Sequence, residues 1–130
     1  MNNISDPQAP ANSKKPMNVG IAILVGQLVV NLPVMLIIFG VFGVGIVLIV
    51  ALEASLPSLP GWIFFLGVLA LIIIGPIIGW LWWSFSVPHW RKWALFNGVP
   101  EEKLQKWAVA TGLVWPKGSI FEKTEFRVKE

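Results

Sequence analysis

Residues 62–83 read WIFFLGVLALIIIGPIIGWLWW. No side chain in this run is charged; one tryptophan opens it, and Trp80, Trp82 and Trp83 close it. From Trp62 to Trp82 a helix rises about 30 Å, which is the thickness of a bilayer hydrocarbon core. Indole rings settle at the headgroup level, where the ring meets apolar surroundings and its N–H finds a partner. Length and tryptophan spacing therefore agree without depending on each other. They predict a transmembrane helix over residues 62–86.

The rest of the chain fits that reading. Of its 130 residues 55% are hydrophobic and 13% charged, against about 25% charged in an ordinary soluble domain. Glu53 is the single charged side chain between Pro16 and Trp90. One small core is too shallow to hide so long an uncharged stretch. Composition thus excludes a soluble globular domain, a disordered chain and a collagen-like repeat. Cysteine and tyrosine are both absent, which removes disulfides, thiolate metal sites, cysteine nucleophiles and phenolic catalysis.

An earlier apolar run, from Val19 to Leu52, is about 50 Å long as helix and exceeds the hydrocarbon by about 20 Å. Pro33 has no N–H for the carbonyl of Val29, and it disfavours helical geometry at Leu32. Two readings follow: one long helix over 19–53 kinked near Pro33, or an interfacial helix over 19–30 followed by a span capped by Asn31. Residues 19–30 carry no charge and only Gln27 as a polar side chain, so the long kinked helix is preferred. Residues 54–61, with Pro57 and Pro60, form a short turn. Residues 1–18 have nothing to bury and read as a disordered tail.

Lys14 and Lys15 precede the first span, the turn has no cation, and Arg91 and Lys92 follow the second. The positive-inside rule then places both termini in the cytoplasm, in a bacterial inner (plasma) membrane. The fold class is an all-α integral membrane protein, a two-span helical hairpin with short amphipathic helices after the second span. Over 87–130, Ser86 and Pro88 read as a helix start and Asn97-Gly98 as its stop. Pro100-Glu101-Glu102 opens another helix, with Leu104, Trp107, Ala108 and Thr111 on one face. The charged end from Ile120 onward reads as extended. Trp93 and Trp107 are expected to fold back over Ile21–Val25.

Candidate functional residues fall into three groups. Gln27 and Asn31, one turn apart, are the polar pair of the first span; such side chains join helices or line a pathway. Gly40 and Gly43 on the first span, with Gly45 nearby, and Gly67, Gly75 and Gly79 on the second offer smooth patches for close helix packing. Trp62, Trp80, Trp82, Trp83, Trp90 and Trp93, with Arg91 and Lys92, suit anchoring at an anionic headgroup surface.

His89 is the only histidine and lacks a second ligand, so neither metal nor cofactor is expected. The segment 104–113 superficially suggests a DNA-reading motif, but Trp115-Pro116-Lys117-Gly118 would break its reading helix, so no nucleic-acid partner is expected. No catalytic constellation is present. The expected function is a small non-catalytic accessory or assembly subunit of a larger membrane complex. The alternative is a homo-oligomeric transporter or channel. Expected partners are the bilayer, with anionic headgroups, and other transmembrane subunits or further copies of the chain.

Overall fold

The computed structural model describes residues 15–126. The described residues are helical with short turns and contain no strand. Helix α1 spans Val19–Gly26. Its start is fixed by Asn18, whose side chain accepts from Gly20 N at 2.8 Å, the usual way to satisfy an orphan N–H. A single widened (π) turn, Gln27–Asn31, follows, in which Leu32 N–H reaches back five residues to Gln27 O. Helix α2, Leu32–Ser55, continues it with Pro33 in its first turn. The run Val19–Ser55 is one uninterrupted rod of 37 residues, about 55 Å long. The proline is absorbed by the widened turn, and Asn31 makes no cap.

After the turn at 56–60, α3 spans Gly61–Phe96 without a break, 36 residues and about 54 Å. Both rods are long and apolar enough to cross a membrane. The unbroken path of α3 through Pro88 corrects the separate helix expected to start at Ser86 and Pro88. Pro88 removes only the N–H owed to Ser84 O, and another segment replaces it: Phe126 N donates to Ser84 O at 3.2 Å. Val87, whose geometry the proline restricts, is fully buried, so packing holds the helical path.

Helix α3 stops at Asn97-Gly98. Gly98 takes φ +81, and Val99 N closes on Ala94 O at 3.2 Å; only a residue without Cβ adopts this cheaply. Helix α4 spans Glu101–Ala110 and closes with Leu113 N on Ala108 O at 2.8 Å. Beyond it the end of the described chain is not extended: Phe121–Thr124 form a 3-10 turn. Of the expected tail, residues 1–14 lie outside the described residues. Residues 17–18 are fixed, with Met17 N donating to Asn97 O at 3.0 Å.

The two rods run antiparallel. Gly45 abuts Leu71, Gly67 abuts Ile49, and Gly79 abuts Ile38 and Val34, while Gly75 faces the Ile38 backbone. On α2 the contact face is thus 34, 38, 41, 45 and 49, a stripe at helical spacing. Gly40 and Gly43 lie on the opposite side, where an added Cβ would meet nothing within 4 Å. This corrects their assignment as packing glycines; the smooth patch of α2 is Gly45.

A buried cluster forms at the end of the pair remote from the 56–60 turn. It joins Ala22, Ile23 and Val30 of the first rod to Trp83, Val87, Trp90 and Ala94 of α3, and to Leu104, Ala108, Leu113 and Val114. The fold-back over α1 is therefore made by Trp90, Leu104, Ala108 and Leu113. Trp107 is 54% exposed, because the α4 face that turns inward is centred on Leu104 and Ala108. At the crossing Gly26 leaves no room: a Cβ there would fall 2.7 Å from Trp90 Cε2 and would overlap Leu113.

The same substitution at two glycines should therefore have opposite effects. Gly26→Ala should cost about 1–3 kcal/mol through overpacking. Gly40→Ala, on open helix surface, should be neutral or stabilise by up to about 1 kcal/mol. Unfolding in mild detergent measures both, and equal responses would contradict the packing described.

Candidate functional site

The chemistry-bearing side chains collect where the two rods meet α4 and the segment after it. Three indole groups tie this region together through backbone carbonyls. Trp90 Nε1 donates to Ala22 O at 2.8 Å, Trp83 Nε1 to Leu113 O at 3.0 Å, and Trp82 Nε1 to Val29 O at 3.3 Å. The last acceptor stands four residues before Pro33, which has no N–H to offer. Buried indoles need an acceptor, and an unpartnered carbonyl in an apolar setting costs about 1–3 kcal/mol.

Trp83 and Trp90 are 8% and 4% exposed. They are internal struts, which corrects their reading as surface anchors: α4 and the residues after it cover the face of α3 on which they stand. Trp62, Trp82 and Trp93 are exposed. Trp80 is half-buried, its ring 5.4 Å from both Trp83 and Phe121.

Gln27 and Asn31 form a polar seam on the widened turn. Asn31 Nδ2 donates to Gln27 Oε1 at 2.7 Å, and Gln27 Nε2 donates to Thr111 O at 3.1 Å. Since Val29 between them is bonded to Trp82, the pair lies level with the tryptophan cluster and far from the midpoint of the rods. A widened turn re-aims side chains in this way, and such turns recur at functional positions.

Beside the seam is a half-open cleft of about 460 Å³. The rods supply Asn31, Val34, Ile38, Pro76, Gly79, Trp80 and Trp83, and the opposite wall is Val109, Gly112, Val114, Trp115 and Pro116. Phe121 closes over its rim, stacked on Trp115 at 4.5 Å and edge-on to Trp80 at 5.4 Å.

Residues 115–126 act as a strap across α3. Arg91 holds Glu125 through contacts of 3.2 and 3.4 Å, and Phe126 N fills the Ser84 carbonyl. Arg91 is thus an internal ion-pair partner, whereas Lys92 is exposed. The Glu125 side chain is 7% exposed. Burial pushes its carboxyl above the usual glutamate value; Arg91 opposes this rise and nearby Glu122 adds to it. Ser84 Oγ is buried with no hydrogen-bond partner.

On the other side of the rods, His89 Nδ1 lies 2.7 Å from Phe85 O. A carbonyl only accepts, so the proton sits on Nδ1. No group of three or more His, Cys, Asp or Glu side chains suited to a metal ion occurs among the described residues. Comparison with known proteins finds no matching family model, no matching curated protein and no matching solved structure.

Sequence reasoning missed Gly26, Leu113 and the Arg91–Glu125 pair. A proline at position 88 does identify Ser84 O as an orphan, by the four-residue offset. Nothing local identifies a donor forty-two residues later.

The ion pair gives a signed pH response. A carboxyl raised on docking is protonated more readily in the docked strap, so docking is strongest at or below the ordinary glutamate range. It weakens as pH rises through the raised value. Arg91→Met removes the opposing cation and should loosen the strap near neutral pH. Acidification to about pH 4 should restore it, and Glu125→Gln should abolish the pH dependence. Protection of the strap amides from hydrogen exchange, corrected for intrinsic rates, reads this directly. Equal protection of Arg91→Met at both pH values would contradict it.

Proposed function

We propose that the chain is an integral membrane subunit whose rods form a two-span transmembrane hairpin, and that it serves as a non-catalytic accessory or assembly component of a larger complex. In this reading Trp62 and Trp82 mark the two bilayer edges, and the 56–60 turn lies on the outer side. Both termini are cytoplasmic, as the Lys/Arg asymmetry favours. Exposed Trp82 meets the inner headgroups, while Lys92 and Trp93 stand on the part of α3 beyond them.

The observation that carries the proposal is the excess length of the rods. Each is about 55 Å long against about 30 Å of hydrocarbon, so roughly 20 Å of helix pair stands beyond the inner edge. There, α4 and the strap cover one side. The opposite side of α1 leaves Ile21, Leu24 and Leu28 more than half exposed, a stripe at helical spacing. Phe96, at the end of α3, is 88% exposed. An apolar face outside the bilayer is the signature of a protein contact. Supporting the same reading, the chain spends its own α4 and strap on stabilising this protruding end, as a docking platform requires.

The alternative, a homo-oligomeric transporter or channel, needs Gln27 and Asn31 on a shared pathway. Gln27 spends its amide on Asn31 and Thr111 within the chain, which favours the accessory role.

Photoreactive residues at Leu24 and Phe96, with Phe65 within the hydrocarbon as the comparator, test the proposal in native membranes. We expect Leu24 and Phe96 to give one stoichiometric adduct with an unrelated protein that Phe65 does not give. Adducts to lipid alone would contradict it, and adducts only between copies of this chain would establish the alternative.

A further inference from the structure

The cleft of about 460 Å³ beside the Gln27–Asn31 seam is within the size range of small-molecule sites, about 300–1,000 Å³. Its walls change character along the rods. The end nearer the middle of the pair is Val34, Ile38 and Pro76, wholly apolar. The end level with the tryptophans brings Asn31, Trp80 and Trp115 together. Seven residues separate Asn31 from Ile38 on one rod and Pro76 from Trp83 on the other, so both walls give a slot about 10 Å long parallel to the helices.

Asn31 adds a second observation. Its amide has two N–H groups and a carbonyl, of which one N–H is spent on Gln27 Oε1. The remaining capacity sits half-buried at the polar end of an apolar slot.

We propose that the cleft holds one acyl chain of a membrane glycerolipid, with the ester carbonyl at Asn31 and the hydrocarbon directed toward Ile38 and Pro76. The assignment rests on the membrane reading above. Under it the apolar end of the slot lies inside the hydrocarbon and the Asn31 end at the inner headgroups, so the polarity of the slot matches that of a lipid standing in its own leaflet. The Asn31 N–H has an acceptor at the depth where glycerol esters lie. Trp80, Trp115 and Phe121, packed ring to ring over the rim, separate this chain from the annular lipid. The helix pair and the C-terminal segment are then bridged by a lipid lying between Val34 and the wall of Val109 and Val114.

The test uses the full-length chain in phosphatidylglycerol vesicles doped with phosphatidylglycerol bearing a diazirine in one acyl chain. Carbonate extraction first establishes that the chain is membrane-integrated; release of the chain would refute the membrane reading itself. In the integrated protein, labelling should concentrate on 31–38, 76–83 and 109–116, several-fold above the outward residues Leu36 and Phe39. Val109→Trp, which fills the slot from α4, should lower cleft labelling at least about threefold, whereas Leu36→Trp should leave it unchanged. Asn31→Leu should shift the adducts along the slot. If the wild type labels evenly around both rods, the lipid-site proposal is wrong while the membrane reading stands. Labelling of the cleft by diazirine stearic acid but not by the phospholipid would also overturn it.

Discussion

A helix in apolar surroundings must satisfy every backbone carbonyl from within the protein, and this chain places prolines at 33, 76 and 88 inside its rods. Each proline withholds one N–H from the carbonyl four residues earlier. Two of those carbonyls are served by donors from elsewhere: Val29 O by the Trp82 indole, and Ser84 O by the Phe126 amide. The third, Ile72 O, receives no donor from another element among the described residues, and Pro76 borders the apolar end of the cleft. The tertiary structure is arranged around the first two of these carbonyls.

Meeting the Val29 vacancy brings α3 against the first rod at the widened turn and fixes the height of Gln27 and Asn31. Meeting the Ser84 vacancy brings the strap across α3, where Arg91 and Phe121 hold it. Trp83 and Trp90 complete the set by closing onto Leu113 and Ala22. The glycines at 45, 67, 75 and 79 set how closely the rods approach, and Gly26 sets how closely Trp90 and Leu113 approach α1. Close approach brings indole N–H groups within reach of backbone carbonyls. The cleft is what remains between the rods, the wall from Val109 to Pro116 and the strap that crosses above.

The two apolar rods, a short turn between them, the stop at Asn97-Gly98, and the face of α3 carrying Gly67, Gly75 and Gly79 were legible in the sequence. Length, hydropathy, proline and glycine act locally, and local effects can be read locally. The continuity of α3 through Pro88 was not legible, because it depends on a donor supplied by Phe126. The choice between Gly45 and the Gly40–Gly43 pair depends on the rotation of α2, which apolar periodicity cannot reveal in a helix that is apolar all round. Tryptophan was read by its preference for interfaces, and that preference does not distinguish a ring facing lipid from one buried under α4. Of the candidate site, the polar pair was legible as residues. Its partner Thr111, the cleft wall and the half-buried Arg91–Glu125 pair are products of tertiary packing.

The claim that proline-vacated carbonyls recruit the tertiary donors is tested most directly by the vibrational frequency of one labelled carbonyl. With 13C=18O placed at Ser84, removing the strap after Ile120 should shift that band to higher frequency in the native sequence, as its hydrogen bond from Phe126 is lost. In Pro88→Ala, where the helix supplies its own N–H, the same truncation should leave the band in place. A band that does not move on truncation of the native sequence, or that moves equally in both backgrounds, would contradict the account.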